Sequence, residues 1–126
     1  MIKKIHLGPV EIHEPREIVL EALKYISGGS ALDLGAGFGR HSLLLATRGF
    51  AVTAVESGIE QIESLREKAS KLNISMRIEN TDIRNFNPRD QRYDMVLSTM
   101  VLHFLSSKTE AVEVIRKMQK ATQSEG

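Results

Sequence analysis

From residue 15 onward, apolar positions alternate between helical and strand-like spacing. Ile18, Ala22 and Ile26 recur on one face with Val19 and Leu23 beside them, which predicts a helix over residues 15–26. Pro15 suits its first turn, where a missing N–H has no partner to lose, and Ser27-Gly28-Gly29-Ser30 stops it. Ala31 to Leu34 is a short apolar strand, followed by a glycine loop and a helix from about Gly39 to Arg48. Gly49 is placed to end that helix in a left-handed conformation. A second strand, Ala51 to Val55, is rich in β-branched residues. Ser57 and Glu60 have the spacing of a capping box. The helix they open carries Ile59, Ile62, Leu65, Ala69 and Leu72 on one stripe, and Asn73 ends it. Ser75 to Glu79 reads as a third strand and Tyr93 to Ser98 as a fourth, with Asn87-Pro88 and Asp90 marking the loop between them. A second capping box, Ser107 with Glu110, opens a last helix that turns Val112, Ile115 and Met118 inward.

Strands separated by helices of this length imply βαβ crossovers and a mainly parallel sheet, so the fold class is α/β. With 126 residues the chain has room for one domain. Residues 15–126 form its core, and residues 1–14 read as an N-terminal lid or arm. In such sheets ligands sit beyond the carboxyl ends of the strands. The chemistry is therefore expected after Leu34, Val55, Glu79 and Ser98.

Composition narrows the partners. Hydrophobic residues make up 41% and charged residues 26%, with a formal net charge of +1, so neither disorder nor a basic nucleic-acid surface is indicated. There are two Tyr, four Phe and no Trp, too few for an aromatic base-stacking platform. No cysteine is present, which removes disulfides and thiolate metal sites and fits a reducing cytoplasm. The four histidines have no metal-binding spacing, so no metal is expected. Apolar runs are far too short to span a membrane, and the N-terminus lacks the apolar region of a signal peptide.

The glycine loop carries the clearest chemical signal. Gly35 permits a sharp turn, Gly37 lets a ligand approach the backbone, and Gly39 lets the next helix start close to the sheet. The N-terminus of that helix is expected to offer free N–H groups. The spacing is G-x-G-x-G, whereas dinucleotide-binding loops have G-x-G-x-x-G. Asp33 stands just before the loop, where a negative charge suits a ligand bearing an ammonium and a sulfonium better than one bearing a pyrophosphate. Its ordinary alternative is a loop cap. Glu56, at the end of the second strand, can accept both hydroxyls of a ribose or act as a helix N-terminal acid. Asp82 can accept from an exocyclic amine while the Ile83 N–H reaches a ring nitrogen; Asp82 is also a common turn residue. Arg40 either pairs a ligand carboxylate or lies on the surface. His103 either positions an acceptor, as acid or base, or is structural.

Three stretches together resemble the class I S-adenosylmethionine (SAM)-dependent methyltransferase superfamily: ALDLGAGFGR at residues 31–40, AVTAVE at 51–56 and YDMVLSTMVLHFL at 93–105. The third is most similar to the tellurite-resistance methyltransferases. The likeness runs from about Leu20 to Thr122. It implies a three-layer αβα, Rossmann-like fold in which Asp33, Gly35, Ala36 and Gly37 hold the methionine part of SAM. Arg40 would face its carboxylate, and Glu56 and Ser57 its ribose. Asp82 and Ile83 would meet the adenine, while Ser98 and Thr99 line the site near the sulfonium. It also implies methyl transfer to a small-molecule acceptor, such as a thiol or a tellurium or selenium oxyanion, whose nucleophile needs no strong base.

The family sheet has seven strands in the order 3-2-1-4-5-7-6, and four are legible here. The fold is therefore expected to be a truncated version, with the fourth strand left at an edge. An apolar edge invites pairing, so a homodimer through that strand is expected. Four readings compete: a methyltransferase domain, a SAM-binding module without activity, a nicotinamide-dinucleotide domain, which the loop spacing and Asp33 disfavour, and a purely structural interaction protein, which leaves the acids Asp33, Glu56 and Asp82 at three strand ends unexplained.

Overall fold

The computed structural model describes residues 3–88, 91–98 and 122. Strand β1 (Lys4–Leu7) and strand β2 (Val10–His13) form an antiparallel hairpin. The hairpin is followed by helix α1 (Glu17–Ala22), strand β3 (Ser30–Leu34), helix α2 (Arg40–Thr47) and strand β4 (Ala51–Glu56). Helix α3 (Ile59–Lys71) and strands β5 (Arg77–Asn80) and β6 (Met95–Leu97) complete the described elements. The four later strands form one parallel sheet in the order β5-β4-β3-β6. That is the 3-2-1-4 arrangement the resemblance implies, and β6 is an edge strand among the described residues. The last predicted helix, opened by Ser107, lies outside them, as do Thr99 and His103.

The sheet is the first layer of the core, and both its faces are apolar. Leu32, Leu34 and Val55 point to one face, where Ile83, Phe86 and Tyr93 cover them. On the other face Ala54 packs with Leu43 and Leu44 of α2 and Leu65 and Ala69 of α3. Beside them Ala31, Val52 and Met95 meet Leu45, Phe50 and the Ala22 to Ile26 region. Near-continuous burial along β3 and β4 is what a parallel sheet covered on both sides requires.

Local chemistry moves several boundaries. α1 is shorter than its apolar pattern suggested, because Arg16 is its N-cap, Pro15 precedes the cap, and residues 23–25 form a turn. Asn73 and Gly49 take the left-handed conformations expected of helix stops, with φ of 55° and 93°. The Ser57–Glu60 capping box is absent. The N-cap of α3 is Gly58, without a side-chain cap; the Glu56 carboxylate accepts the Gly58 N–H at 2.8 Å. Among the described residues no helix is long and apolar enough to cross a membrane.

The hairpin is the element the sequence reading did not anticipate. Gly8, at φ 55°, turns the chain between Leu7 and Val10, which face each other across the strands. Ile5, Leu7, Val10 and Ile12 point to one side and join the core around Leu43, Leu44 and Leu65. Lys4, His6, Glu11 and His13 point away, with Glu11 paired to Lys4 at 3.2 Å. The segment is thus part of the core. Ile12, only 3% exposed, is expected to cost about 2–4 kcal/mol when replaced by alanine; urea unfolding of Ile12→Ala measures this, and a change within experimental error would show that the hairpin does not contribute to the cooperative core.

Candidate cofactor site

The carboxyl ends of the four parallel strands meet along one edge. Asp33 lies level with Ala54 on one side and Leu97 on the other, and Glu56 lies level with Asn80. The loop after β3 is built from three glycines with positive φ: Gly35 at 73°, Gly37 at 60° and Gly39 at 93°. Each lies where a side chain would be strained. A Cβ on Gly39 would also strike Leu65 Cδ1, so the third glycine is needed for α2 to approach α3. A Cβ on Gly37 would meet no protein atom. It would project into open space, which is the property of a loop that admits a ligand against its backbone.

Four N–H groups of this loop are bonded within the protein. Gly35 and Ala36 N–H donate to Val55 O at 2.8 and 3.0 Å, and Gly39 N–H to Ala36 O at 3.1 Å. Gly37 N–H donates to Glu56 Oε1 at 2.8 Å. The loop therefore offers space and a negative rim rather than a ring of donors, and a pyrophosphate would find none of these four amides available. Glu56 links Gly37 and Gly58 through its two oxygens. Its helix-terminal role, one of the two the sequence left open, is real, and lone pairs remain on both oxygens for further donors.

Asp33 is 2% exposed. Ser42, in the first turns of α2, donates its hydroxyl to Asp33 Oδ2 at 2.7 Å. Burial pushes the Asp33 carboxyl up to about 6; the Ser42 hydrogen bond opposes that rise, and the Glu56 charge adds to it. The Arg40 charge lowers it only slightly, as the last of these causes, and among the described residues no ion pair engages the Asp33 carboxylate.

A cavity of about 490 Å³ opens over this loop, a size ordinary for a small-molecule site. Its floor is Asp33 and residues 35–39, with Arg40 and His41 beside them. Its outer wall is the hairpin, through Lys4, Glu11, Ile12 and His13, and Lys68 of α3 closes another side. Lys68 Nζ lies 5.7 Å from the centre of the half-exposed Phe38 ring and 3.5 Å from Phe38 O. Lys4, Glu11, Ile12, Phe38 and Lys68 carry no site signal in the sequence reading. The period-two alternation from Ile5 to Ile12 was available as a signal; Lys68 has none, being one of several charges on the polar face of α3.

Not every expected residue reaches this cavity. Glu56, Asp82, Ile83 and Ser98 lie outside its lining. Ser57 is exposed, with its carbonyl accepting from Asn80 at 3.3 Å. Arg40 is neither free nor simply superficial: its Nη1 donates to Glu14 O at 3.2 Å. The Asp82 carboxylate receives three donors from Arg84, at 2.7 to 2.9 Å. Those bonds hold its pKa down to about 2, so the turn role of Asp82 is present. Ile83 is buried in the core below it. Ser98 Oγ is buried and has no hydrogen-bond partner among the described residues.

Residues 4–126 match the family described as tellurite resistance protein TehB. A curated relative from Haemophilus influenzae, described as a probable S-adenosyl-L-methionine-dependent methyltransferase TehB, is 36% identical over 82% of this chain and 36% of its own length. The crystal structure of TehB from Haemophilus influenzae superposes with a TM-score of 0.80 at 32% identity, covering 86% of this chain and 37% of that one. A putative methyltransferase of the same cofactor class from Methanococcus maripaludis gives a TM-score of 0.71 at 23% identity, over 86% and 51% of the two chains; at that identity the likeness is one of fold. The chain thus spans just over a third of the length of the curated TehB relative.

The Asp33 environment predicts a pH dependence. Its folded pKa of about 6 exceeds the ordinary 3.8, so the folded state holds the extra proton between these values. Stability contributed by this group is complete below pH ~4 and is lost as pH rises through ~6. Asp33→Asn should flatten this part of the profile and raise stability at pH 7 by about 1–3 kcal/mol. Urea unfolding at pH 4.5 and pH 7 checks it; parallel profiles for the two proteins would contradict it.

Proposed function

The chain belongs to the TehB tellurite resistance protein family, and from that premise we propose that it binds SAM and forms the cofactor-binding part of a methyltransferase acting on a small-molecule acceptor. The observation that carries this reading is the pairing of a buried, cation-seeking Asp33 with a glycine loop whose Gly37 opens directly onto a cavity.

The residues divide the work as follows. Asp33, Gly35, Ala36 and Gly37 hold the methionine part, with the Asp33 carboxylate facing the ammonium. Arg40 and Lys68 lie near the opposite charge of that group. Glu56 accepts from the ribose hydroxyls through the lone pairs that Gly37 and Gly58 leave, with Ser57 at the rim. Asp82 and Ile83 border the adenine, where the Arg84 grip keeps Asp82 ionised. The unpartnered Ser98 hydroxyl, with Thr99 beyond it, borders the sulfonium. His103 would face the acceptor. When bound, SAM supplies an electrophilic methyl carbon; the protein's part is alignment and exclusion of water. A thiolate or an oxyanion of tellurium or selenium is already ionised and needs no base.

A second reading, binding without turnover, is favoured by one observation. The described cavity ends on the methionine side and does not reach Ser98, so no acceptor wall stands among the described residues.

Calorimetry with S-adenosylhomocysteine tests the cofactor assignment. Binding should be saturable and tighter than that of NAD, and Glu56→Ala should weaken it by about 1–3 kcal/mol, the scale of lost charge-assisted hydrogen bonds. Since Glu56 also ties two backbone amides, Glu56→Gln and thermal melts separate lost binding from lost fold. No heat with S-adenosylhomocysteine, or tighter binding of NAD, would overturn the assignment. Methyl transfer to tellurite, selenite or small thiols separates the enzyme from the silent binding module.

A further inference from the structure

His41 is the buried titratable group to which the cofactor reading gives no task. It occupies the first turn of α2, immediately after the glycine loop, and is 3% exposed. Its Nε2 accepts the backbone N–H of Arg16 at 3.1 Å. That bond needs a lone pair on Nε2, hence a neutral ring. Burial first, then the Arg40 and Arg16 charges, lowers the His41 pKa to about 4, so the lone pair is available at physiological pH. Beside it, Arg40 donates to Glu14 O at 3.2 Å. Glu14 N–H in turn donates to Lys3 O at 2.8 Å, extending the hairpin ladder. Two successive residues of α2 thus grip residues 14–16, the segment through which the hairpin joins α1. The same hairpin supplies Lys4, Glu11, Ile12 and His13 to the cavity.

We propose that His41 is a positioning residue: by accepting the Arg16 N–H it latches the end of the hairpin to the first turn of the glycine-loop helix and holds the hairpin as the outer wall of the cofactor cavity. The latch rests on the geometry just given. Its effect on ligand binding rests on the SAM reading above.

The bond can be removed from either side. His41→Leu deletes the acceptor, while His41→Gln retains a carbonyl oxygen at comparable reach. Arg16→Pro deletes the donor, and the native φ of −66° is one that proline adopts; Arg16→Ala keeps the N–H and controls for the lost side chain. Hydrogen exchange of backbone amides 4–14 in the full chain is the first readout. His41→Leu and Arg16→Pro should each raise exchange there by about five- to tenfold, the scale of one buried hydrogen bond. The double variant should add little, and His41→Gln and Arg16→Ala should stay close to wild type. If one deletion fails to fold, the other carries the test. Unchanged hairpin exchange in a folded His41→Leu or Arg16→Pro protein overturns the latch, as does equal acceleration in Arg16→Ala.

S-adenosylhomocysteine affinity is the second readout. It should fall by a similar factor in the two deletion variants and recover in His41→Gln. Faster hairpin exchange with unchanged affinity overturns the positioning role while leaving the cofactor reading intact. Absence of binding in wild type overturns the cofactor reading, and with it the role toward that ligand, while the exchange result still decides the latch.

Discussion

The Glu56 carboxylate, at the end of β4, accepts the Gly37 N–H on one oxygen and the Gly58 N–H on the other. The rest of the cleft depends on this double attachment. One bond fixes the turn after β3; the other fixes the start of α3. The two crossover connections of the sheet are thereby clamped at the edge where a ligand would lie. Backbone amides left without partners in such a place would be costly, and the same carboxylate that satisfies them keeps negative potential at the mouth of the loop. Asp33, one strand over and lower in the sheet, feels that potential: part of the rise in its pKa comes from Glu56. Two acids are thus kept close enough to feel each other, with the Arg40 charge only partly offsetting that repulsion at Asp33. This is an arrangement a protein sustains at some expense of stability and relieves by binding something positive.

Much of this was legible in the sequence. The alternation of strands and helices from Ala31 to Glu79 pointed to a parallel sheet, because the apolar runs of β3 and β4 have no polar alternation to expose; the strand order came from the resemblance. Gly35, Gly37 and Gly39 announced the turn because their spacing between a strand and a helix has few other uses. Asp33 and Glu56 followed from their positions at strand ends. What failed to be legible was governed by competition between neighbouring groups. The Ser57–Glu60 pair has the right spacing for a capping box, but the helix starts one residue later, with Gly58 at its N-cap and Glu56 accepting the Gly58 N–H. The bonding of the Gly35, Ala36 and Gly37 amides was not legible, because a sequence cannot show that Val55 O and Glu56 Oε1 lie opposite them. Asp82 likewise has Arg84 two residues away, a local pairing that tertiary context had no need to supply.

The hairpin shows a different limit. Its alternating Ile5, Leu7, Val10 and Ile12 fit a strand pair with a Gly-Pro turn, yet the pattern is only four residues per strand, short enough to pass for an arm. Its significance comes from where the apolar side lands. Leu43, Leu44 and Leu65 supply the surface it covers, and its polar side then has to face the glycine loop. A lid that swings freely would leave Val10 and Ile12 in water. Their burial makes the hairpin a fixed part of the site's architecture, joined to α2 through residues 14–16.

That placement also ties the cavity to the finished fold. The two strands are adjacent in sequence, so their own turn costs little closure entropy. The surface that receives them is assembled from residues of α2 and α3, more than thirty positions further along the chain. The cavity between hairpin and loop therefore exists only where all three have come together. A ligand held there would stabilise the finished structure and none of the states leading to it.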